Sequence, residues 1–358
     1  MADRTADLRD VDLDAPMSRA VLTAVQTALP VEGRPYAALG EACGTDEAGA
    51  FAVVEAARAA GIVRRIGASF DSCKLGYVST LAALAVPEDD LDRVAALVGA
   101  HPGVTHNYER DDRYNLWFTC IARGQEALER ELAGIRREAG AGDMLVLPAL
   151  RLFKVRVAFD VREGSSAGDA TPAAAGAPAP AAAADVVPLD LDDADRALVR
   201  ALQGDLAGDA RPFALAAARA SELLGRAVGE DEALERTRAL VEARAVRRFG
   251  AMVRHRKMGF ACNAMGVWNV PDEQVKRAGV LLALPAGVSH CYQRPRRAAW
   301  PWNLYTMIHG RDRAECGRVA GKLHAALAEA GIEAAPPRML VSVREFKKTS
   351  MRYFEEDR

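Results

Sequence analysis

Two short segments of the chain repeat a histidine, a tyrosine and an arginine at alternate positions. These residues are His106, Tyr108 and Arg110 in the first segment, and His290, Tyr292 and Arg294 in the second. Alternate residues of a strand project from the same face, so each trio would point into one space. Histidine titrates near neutral pH and can donate a proton, and arginine binds carboxylates through paired hydrogen bonds. Such trios suit proton transfer to a substrate that carries carboxylates.

The second trio stands in a stretch rich in cations and aromatic rings. The cations are Arg247, Arg248, Arg254, Arg256, Lys257, Arg294, Arg296 and Arg297, and the rings are Trp300, Trp302 and Tyr305. Several arginines interleaved with flat rings suit a large polyanion. A solvated basic face beside a buried strand edge is the alternative interpretation of the same residues.

A longer internal repeat contains both trios. The segment VRRIGASFDSCKLGY begins at Val63 and VRRFGAMVRHRKMGF at Val246, and the trios follow at nearly the same distance in each half. Residues 163–184 consist mostly of Gly, Ser, Pro and Ala, which is typical of a flexible linker. The chain is therefore predicted to be a tandem fusion of two homologous modules, paired as an intramolecular pseudo-dimer.

Each module is predicted to begin with three short helices and a strand, the order of a winged helix-turn-helix. Helix and strand patterns then follow in the order βαββαβ, which is ferredoxin-like, so the fold class is α+β. In the first half these strands are expected near 77–86, 104–108, 114–122 and 150–159. The predicted domains are winged helix units at 1–66 and 187–250, ferredoxin-like units at 67–162 and 251–358, and a linker at 163–186. The last unit is expected to carry the active site.

Composition narrows the class of protein. The 358 residues carry a formal net charge of −2, a balance that disfavours a general nucleic-acid binder. The six cysteines lack the spacing of a zinc site or a disulfide framework. No apolar run reaches the length of a membrane span, and the polar N-terminus is unlike a secretory signal. These observations predict a cytoplasmic protein without membrane contact.

Two levels of resemblance follow from these segments. The three helices, the βαββαβ order and LDLDDADRALVRALQ, from Leu189, resemble the Lrp/AsnC regulators. RRFGAMVRHRKMGF and SHCYQRPRRAAWPWNLYTMIHG are more specific, and together they resemble the siroheme decarboxylases. Those enzymes share the Lrp/AsnC architecture and occur as paired subunits or as a fused pair.

The resemblance implies a reaction. It implies removal of CO2 from the C12 and C18 acetate side chains of siroheme, on rings C and D, to give 12,18-didecarboxysiroheme. It also implies that no cofactor is needed beyond the iron carried by the siroheme substrate, and that homologous decarboxylase subunits are partners of some family members.

The resemblance further implies the site residues. The predicted catalytic residues are His255, His290 and Tyr292. The predicted substrate-binding residues are Arg247, Arg248, Arg254, Lys257, Arg294, Trp302, Tyr305, His106, Tyr108 and Arg110. Either His255 or His290 is the expected axial ligand of the siroheme iron, with the other as the proton donor. Because Ser72 stands where the second half has His255, the productive pocket is expected in the second half.

Two other functions stay open at this stage. One is a ligand-responsive, DNA-binding regulator of the Lrp/AsnC type, although the third helix of each half carries several acids and would contact phosphates poorly. The other is a carrier or sensor of a haem-like group without catalysis, which would need the same kind of pocket. Carbon dioxide release from siroheme would separate an enzyme from either alternative.

Overall fold

A computed structural model describes residues 11–140, 142–155, 186–253, 262–285 and 287–355. It confirms the predicted fold class, a tandem repeat of a winged helix-turn-helix and a ferredoxin-like unit. Within these ranges no helix is long and apolar enough to cross a membrane.

The first helical unit follows the local signals of its sequence. Its elements are helix α1 (Pro16–Thr27), helix α2 (Pro35–Cys43), helix α3 (Glu47–Ala59) and strand β1 (Val63–Phe70). Pro35 begins α2 because proline at the first helical position loses no intrahelical hydrogen bond. The Asp46 carboxylate caps α3 by accepting a hydrogen bond from the Gly49 N–H group. Gly61, at φ 70°, turns the chain from α3 into β1.

The second half repeats this unit, and the two copies form one body. Its elements are α6 (Asp193–Leu202), α7 (Pro212–Leu224), α8 (Glu230–Glu242) and β7 (Val246–Val253). Strands β1 and β7 pair antiparallel, with Gly67 opposite Gly250. Apolar residues from both helical units, including Val25 and Leu202, share a single core. The pairing of β1 with β7 therefore places the equivalent residues of the two halves on opposite sides of a pseudo-two-fold axis.

The two ferredoxin-like units also have matching elements. The first contains β2 (Tyr77–Leu84), α4 (Leu91–Ala100), β3 (Val104–Arg110), β4 (Leu116–Arg123), α5 (Gln125–Ala139) and β5 (Met144–Pro148), followed by β6 (Arg151–Val155). The second contains β8 (Cys262–Trp268), α9 (Val275–Ala283), β9 (Val288–Gln293), β10 (Leu304–Gly310), α10 (Arg313–Glu329) and β11 (Arg338–Lys348). In each unit the helices cover one face of the sheet with a separate apolar core.

Each half donates a strand to the other. Strand β6 leaves the first half and pairs with β9 of the second. Strand β11 pairs with its own neighbour β8 through residues 338–341, and its later residues pair with β3 of the first half. The strand order is therefore β5-β2-β4-β3-β11-β8-β10-β9-β6.

The strand expected at 150–159 differs from this arrangement. The first sheet is completed by β5, at 144–148, and the following segment crosses to the second half as β6. Residues 156–159 lie outside the described residues. Within the expected range only β6, at 151–155, is a strand among the described residues. It pairs with the other half instead of completing its own sheet, because a period-two pattern identifies a strand and not its partner.

The faces of the sheets that lack helices meet in a fourth core. The first half contributes Tyr114, Trp117 and Leu147, and the second contributes Trp300 and Tyr305, among others. The Trp300 ring lies 5.5 Å from the Tyr114 ring and 5.4 Å from the Trp117 ring, measured between centroids. We call this layer, where the two sheets face each other, the inter-sheet layer.

A close approach between α9 and β6 gives a test of the strand exchange. A Cβ atom added to Gly279, inside α9, would lie 2.3 Å from the ring of Phe153 on β6. We expect Gly279→Ala to lower the free energy of unfolding by about 1–3 kcal/mol, because overpacking outweighs the gain in helix propensity. Urea unfolding of the purified protein measures this change.

Two matched variants control that measurement. Gly321→Ala, inside α10, meets no atom within 4 Å, so it should be neutral or stabilising by up to about 1 kcal/mol. In a Phe153→Ala background, Gly279→Ala should lose its destabilising effect. An equal loss of stability in both backgrounds would show that Phe153 does not pack against α9.

Candidate active site

The two histidine, tyrosine and arginine trios lie on equivalent strands and face the inter-sheet layer. Tyr108 on β3 stands opposite Trp117, and Tyr292 on β9 stands opposite Tyr305. Directly opposed residues share a face of the sheet, and both partners belong to the inter-sheet core. The ring centroids of His106 and Tyr108 are 6.3 Å apart, and those of His290 and Tyr292 are 6.1 Å apart. Each histidine therefore lies beside its tyrosine.

A β-bulge precedes each histidine. The strand register shifts between Val104 and His106 on β3, and between Val288 and His290 on β9. The extra residue is Thr105 in the first half and Ser289 in the second. A bulge bends the strand and re-aims the neighbouring side chain, and it is common beside active sites.

The bulge residues supply a hydroxyl to each imidazole. The Thr105 Oγ1 atom lies 3.0 Å from His106 Nδ1, and the Ser289 Oγ atom lies 2.8 Å from His290 Nδ1. This contact engages Nδ1 and fixes the ring orientation. Proton transfer or metal binding by either histidine would therefore use its Nε2 atom. Neither hydroxyl was among the residues predicted from the sequence. The repeat TH and SH in the two halves was the available signal.

The second half extends this contact to a third side chain. The Ser289 Oγ atom also lies 2.8 Å from His309 Nε2 and 3.4 Å from the Met307 carbonyl oxygen. His309 follows Ile308, the β10 partner of Val288, whereas Ile121 occupies the corresponding position after Cys120 in the first half. The hydroxyl of Ser289 therefore connects two histidines, and that of Thr105 contacts one.

The three histidines are neutral at physiological pH. Burial lowers the pKa of His106, His290 and His309 to about 4 in each case. Positive charge on Lys348 lowers each pKa further, and His309 and His106 add to the effect at His290. A neutral imidazole has one N–H donor and one lone pair, so it can pass a proton or bind a metal ion.

Arg110 and Arg294 are buried charges that cross between the halves. Arg110 donates a hydrogen bond of 2.7 Å to the Leu340 carbonyl oxygen of the second half. Arg294 donates to the Leu147 carbonyl oxygen of the first half. Burial lowers the pKa of Arg110 to about 10 and also lowers the pKa of Arg294, although both guanidinium groups stay charged.

Neither guanidinium group has an anionic partner among the described residues. The Nε atom of each is buried without a hydrogen-bond acceptor there. Each group lies over a tyrosine ring instead, with Arg110 5.6 Å from the Tyr108 centroid and Arg294 4.8 Å from the Tyr292 centroid. A buried cation without a counter-ion is costly, so both positions favour a bound anion.

The predicted aromatic residues lie next to the second trio. The Tyr305 hydroxyl accepts a hydrogen bond of 2.8 Å from the Trp300 indole and donates one of 3.3 Å to the Trp302 carbonyl oxygen. Trp302 is half-buried, and its ring lies 4.5 Å from that of Trp300. Arg294 lies 5.6 Å from the Tyr305 ring, so this aromatic group continues the surface formed by Tyr292.

Two predicted cations lie on β7, in the helical body. Arg247 forms an ion pair of 2.8 Å with Asp71, and its charge also acts on the Tyr292 hydroxyl. Arg248 donates hydrogen bonds to the carbonyl oxygens of Gln26 and Ala251, and so ties β7 to α1. The structure does not bring Arg248 into contact with the trios, and its role in substrate binding stays a prediction.

The remaining predicted residues, His255, Arg254 and Lys257, lie outside the described residues. Their segment connects β7, which carries Arg247, to β8.

Two unpredicted side chains join the cluster from β11. Lys348 stands opposite His106, and Glu345 stands opposite Tyr108. The Tyr108 hydroxyl donates a hydrogen bond of 3.3 Å to Glu345, across a sequence separation of 237 residues. Local sequence patterns carry no information about partners this far apart. Neither the Lys348–His106 pair nor the Glu345–Tyr108 pair could therefore be predicted from the sequence.

Comparison with known proteins agrees with this architecture. Residues 18–64 match the family described as the siroheme decarboxylase NirDL-like HTH domain, and residues 74–154 and 257–347 match the AsnC-like ligand binding domain. The siroheme decarboxylase NirDL subunit of Paracoccus denitrificans is 40% identical over 334 residues, which cover 92% of this chain and 94% of the relative. The siroheme decarboxylase alpha subunit of Desulfovibrio desulfuricans is 47% identical over 148 residues, 41% of this chain and 84% of that subunit.

Solved structures agree with these relatives. The crystal structure of the siroheme decarboxylase NirDL superposes with a TM-score of 0.72 at 31% sequence identity, covering 95% of both chains. A second structure of that protein, in co-complex with an iron-uroporphyrin III analogue, matches equally well. With 40% identity across nearly its whole length and the same pair of domain types, the chain belongs to the siroheme decarboxylase family, in the fused form that carries both modules.

Proposed function

We propose that this chain binds siroheme against the two trios, beside the inter-sheet layer, and removes CO2 from the C12 and C18 acetate side chains, giving 12,18-didecarboxysiroheme. The reaction needs no cofactor beyond the iron that siroheme carries. The single observation that supports this substrate best is the pair of buried guanidinium groups, Arg110 and Arg294, which have no carboxylate partner in the described part of the chain. A flat polycarboxylate supplies both the anions that they lack and a face for the neighbouring tyrosines.

The chemistry needs one proton for each carboxylate lost. When the bond between the acetate CH2 carbon and its carboxylate breaks, the electron pair stays on carbon and extends into the macrocycle. CO2 leaves, and a proton must reach the carbon to form the methyl group. A neutral imidazole whose Nε2–H group faces the substrate can give that proton if its Nδ1 atom receives another. We propose this state for His290, because its Nδ1 atom lies 2.8 Å from the Ser289 hydroxyl and burial lowers its pKa to about 4.

These contacts favour one assignment of the two roles that the sequence left open. We assign the proton donor to His290, because Ser289 supports its Nδ1 atom. The axial ligand of the substrate iron is then assigned to His255, and Tyr292 orients the substrate beside Arg294. The second half remains the proposed productive half for two reasons. His255 corresponds to Ser72 in the first half, and His309, which contacts Ser289, corresponds to Ile121.

The proposal also covers the partners. The chain's own halves supply two modules of the kind that the alpha subunit relative carries on a separate chain. We propose that this pseudo-dimer is the catalytic unit in the cytoplasm, with further homologous subunits as additional partners.

DNA is not among the proposed partners. Helix α8 begins with three acidic residues, Glu230, Asp231 and Glu232, and such a helix end repels phosphates. Arg236 on the same helix is already paired with Asp192 and Asp195, at 3.0 and 2.8 Å. On α3, Arg58 pairs with Asp205 at 3.0 Å.

The direct test is anaerobic incubation of the purified chain with siroheme, followed by mass spectrometry of the tetrapyrrole. We expect the loss of two CO2 units without an added cofactor. Loss of one unit would show that a further subunit completes the reaction. Tight binding without any change in mass would overturn the proposal in favour of a carrier or sensor.

Variants of the two equivalent histidines separate the halves. We expect His290→Ala to lower kcat by roughly 100-fold or more, since general acid catalysis contributes about that much. His255→Ala should also abolish most turnover. His106→Ala is the matched control from the first half and should change kcat by less than about tenfold. Single-turnover decay of bound siroheme measures each rate, and equal losses in His106→Ala and His290→Ala would contradict a single productive half.

Replacing a buried arginine should change affinity and stability in different directions. Arg294→Met is expected to weaken siroheme binding by roughly 10- to 100-fold, because it removes a charged hydrogen bond to carboxylate. Its melting temperature should stay the same or rise, because an unpaired buried charge is lost. Absorption titration and thermal unfolding measure the two effects.

Arg65→Met serves as the control for this arginine experiment. The Arg65 guanidinium donates a hydrogen bond of 2.9 Å to the Gln203 carbonyl oxygen within the helical body. Its loss should lower the melting temperature and leave siroheme affinity unchanged. If Arg294→Met lowered only the melting temperature, Arg294 would be a structural residue.

A further inference from the structure

The second half contains a continuous hydrogen-bonded chain of three side chains. The Ser289 Oγ atom lies 2.8 Å from His290 Nδ1 on one side and 2.8 Å from His309 Nε2 on the other. Both distances are typical of strong hydrogen bonds. Because the hydroxyl has one proton and two lone pairs, it can donate to one ring while accepting from the other.

We propose that Ser289 and His309 form a proton relay that delivers protons to His290 during decarboxylation. This inference rests on the proposed function, in which His290 protonates the substrate carbon. His309 and Ser289 act through His290 and are positioning residues, not groups that touch the substrate.

The relay conserves protons and electrons at each step. The carbon left by CO2 takes the proton of His290 Nε2–H with the electron pair of the broken C–C bond. Ser289 Oγ–H gives its proton to His290 Nδ1, and Ser289 Oγ takes the proton of His309 Nε2–H. His309 regains a proton from water, so one solvent proton is consumed for each CO2 released. Rotation of the hydroxyl and tautomer exchange of the rings restore the starting arrangement.

A concerted transfer explains how a histidine that is neutral at pH 7 can act as the acid. Burial lowers the pKa of His290 to about 4, so few molecules would carry an imidazolium there. A neutral ring that lost Nε2–H alone would become an imidazolate, which is costly. Arrival of the serine proton at Nδ1 as Nε2–H leaves keeps the ring neutral throughout.

A buried acceptor without a partner among the described residues lies next to His309, at the far end of the proposed relay. His309 on β10 stands directly opposite Asn263 on β8. The Asn263 Oδ1 atom is buried and has no hydrogen-bond partner among the described residues. A buried acceptor of this kind is normally satisfied by an ordered water molecule. Such a water would lie beside His309, on the side away from His290.

The first half has the hydroxyl of the relay but not its second imidazole. Thr105 contacts His106 Nδ1 at 3.0 Å, and Ile121 stands where His309 stands in the second half. Because only the second half is proposed to be productive, Ser289 should matter more than Thr105 whether it supports the ring or relays a proton. His309 separates the two roles, because support of the His290 ring needs only the Ser289 hydroxyl, whereas a relay also needs the imidazole that contacts this hydroxyl.

The experiment compares Ser289→Ala, Ser289→Thr, His309→Ile and the control Thr105→Ala in single-turnover decarboxylation of siroheme. We expect Ser289→Ala and His309→Ile to lower the rate by roughly 100-fold with siroheme affinity unchanged. Ser289→Thr should retain most of the rate because it keeps the hydroxyl. Thr105→Ala should lower the rate by less than about fivefold.

The dependence of the rate on the deuterium fraction, in mixtures of H2O and D2O, distinguishes a relay from a structural role. A residue with only a structural role would not change the shape of this dependence. The wild-type rate should fall along a curve as the deuterium fraction rises, because more than one proton moves in the transition state. The Ser289→Ala plot should become linear. An unchanged rate in His309→Ile, or a linear wild-type plot, would overturn the relay alone. A wild-type protein that binds siroheme without releasing CO2 would overturn the proposed function, and the relay with it.

Discussion

Each ferredoxin-like unit has its own four strands, and its outer edge strand is paired by a further strand from the other half. Backbone hydrogen bonds cannot be left unmade inside a protein, so β3 and β9 both require a partner on their outer edge. Strand β11 meets this requirement at β3, and strand β6 meets it at β9. The exchange therefore places residues of the opposite half beside both strands that carry a trio.

The exchange also explains why the chemistry lies at the boundary between the halves. The trios are on the two strands that receive a foreign partner, so each histidine borders residues from the opposite half. Arg110 and Arg294 extend this coupling, because each binds a main-chain carbonyl across the boundary. Burial of these cations concentrates positive potential where a polycarboxylate is proposed to bind.

Most of the fold was predictable from the sequence because its signals are local. Proline and aspartate mark where helices begin, and the βαββαβ order follows from alternating periodicities, as at β2 to β4. The strand exchange was not predictable, since a strand's pattern shows which face is buried and not which chain segment lies beside it. The strand expected at 150–159 is the clearest case, because β5, at 144–148, completes the first sheet and β6, at 151–155, pairs with the second half.

The site was predictable only where it repeats. His106 and His290 stood out because two diverged halves kept them, and their tyrosines and arginines followed by alternation. Thr105 and Ser289 did not stand out, because a β-bulge adds a residue that breaks the alternation on which the interpretation depended. Lys348 and Glu345 come from a distant strand and carry no local signal. Arg248 was predicted to bind substrate from its charge, and its hydrogen bonds to two main-chain carbonyls could not be inferred from the sequence.

The covalent link between the halves bears on the difference between Ile121 in the first half and His309 in the second. Two separate subunits that share one architecture can form homodimers as well as the mixed pair, and the composition of the mixture then depends on expression levels. A single chain fixes the ratio at one to one and holds the partners at high effective concentration. Under that constraint the two halves are free to specialise, because a side chain introduced into one half always meets the unmodified face of the other.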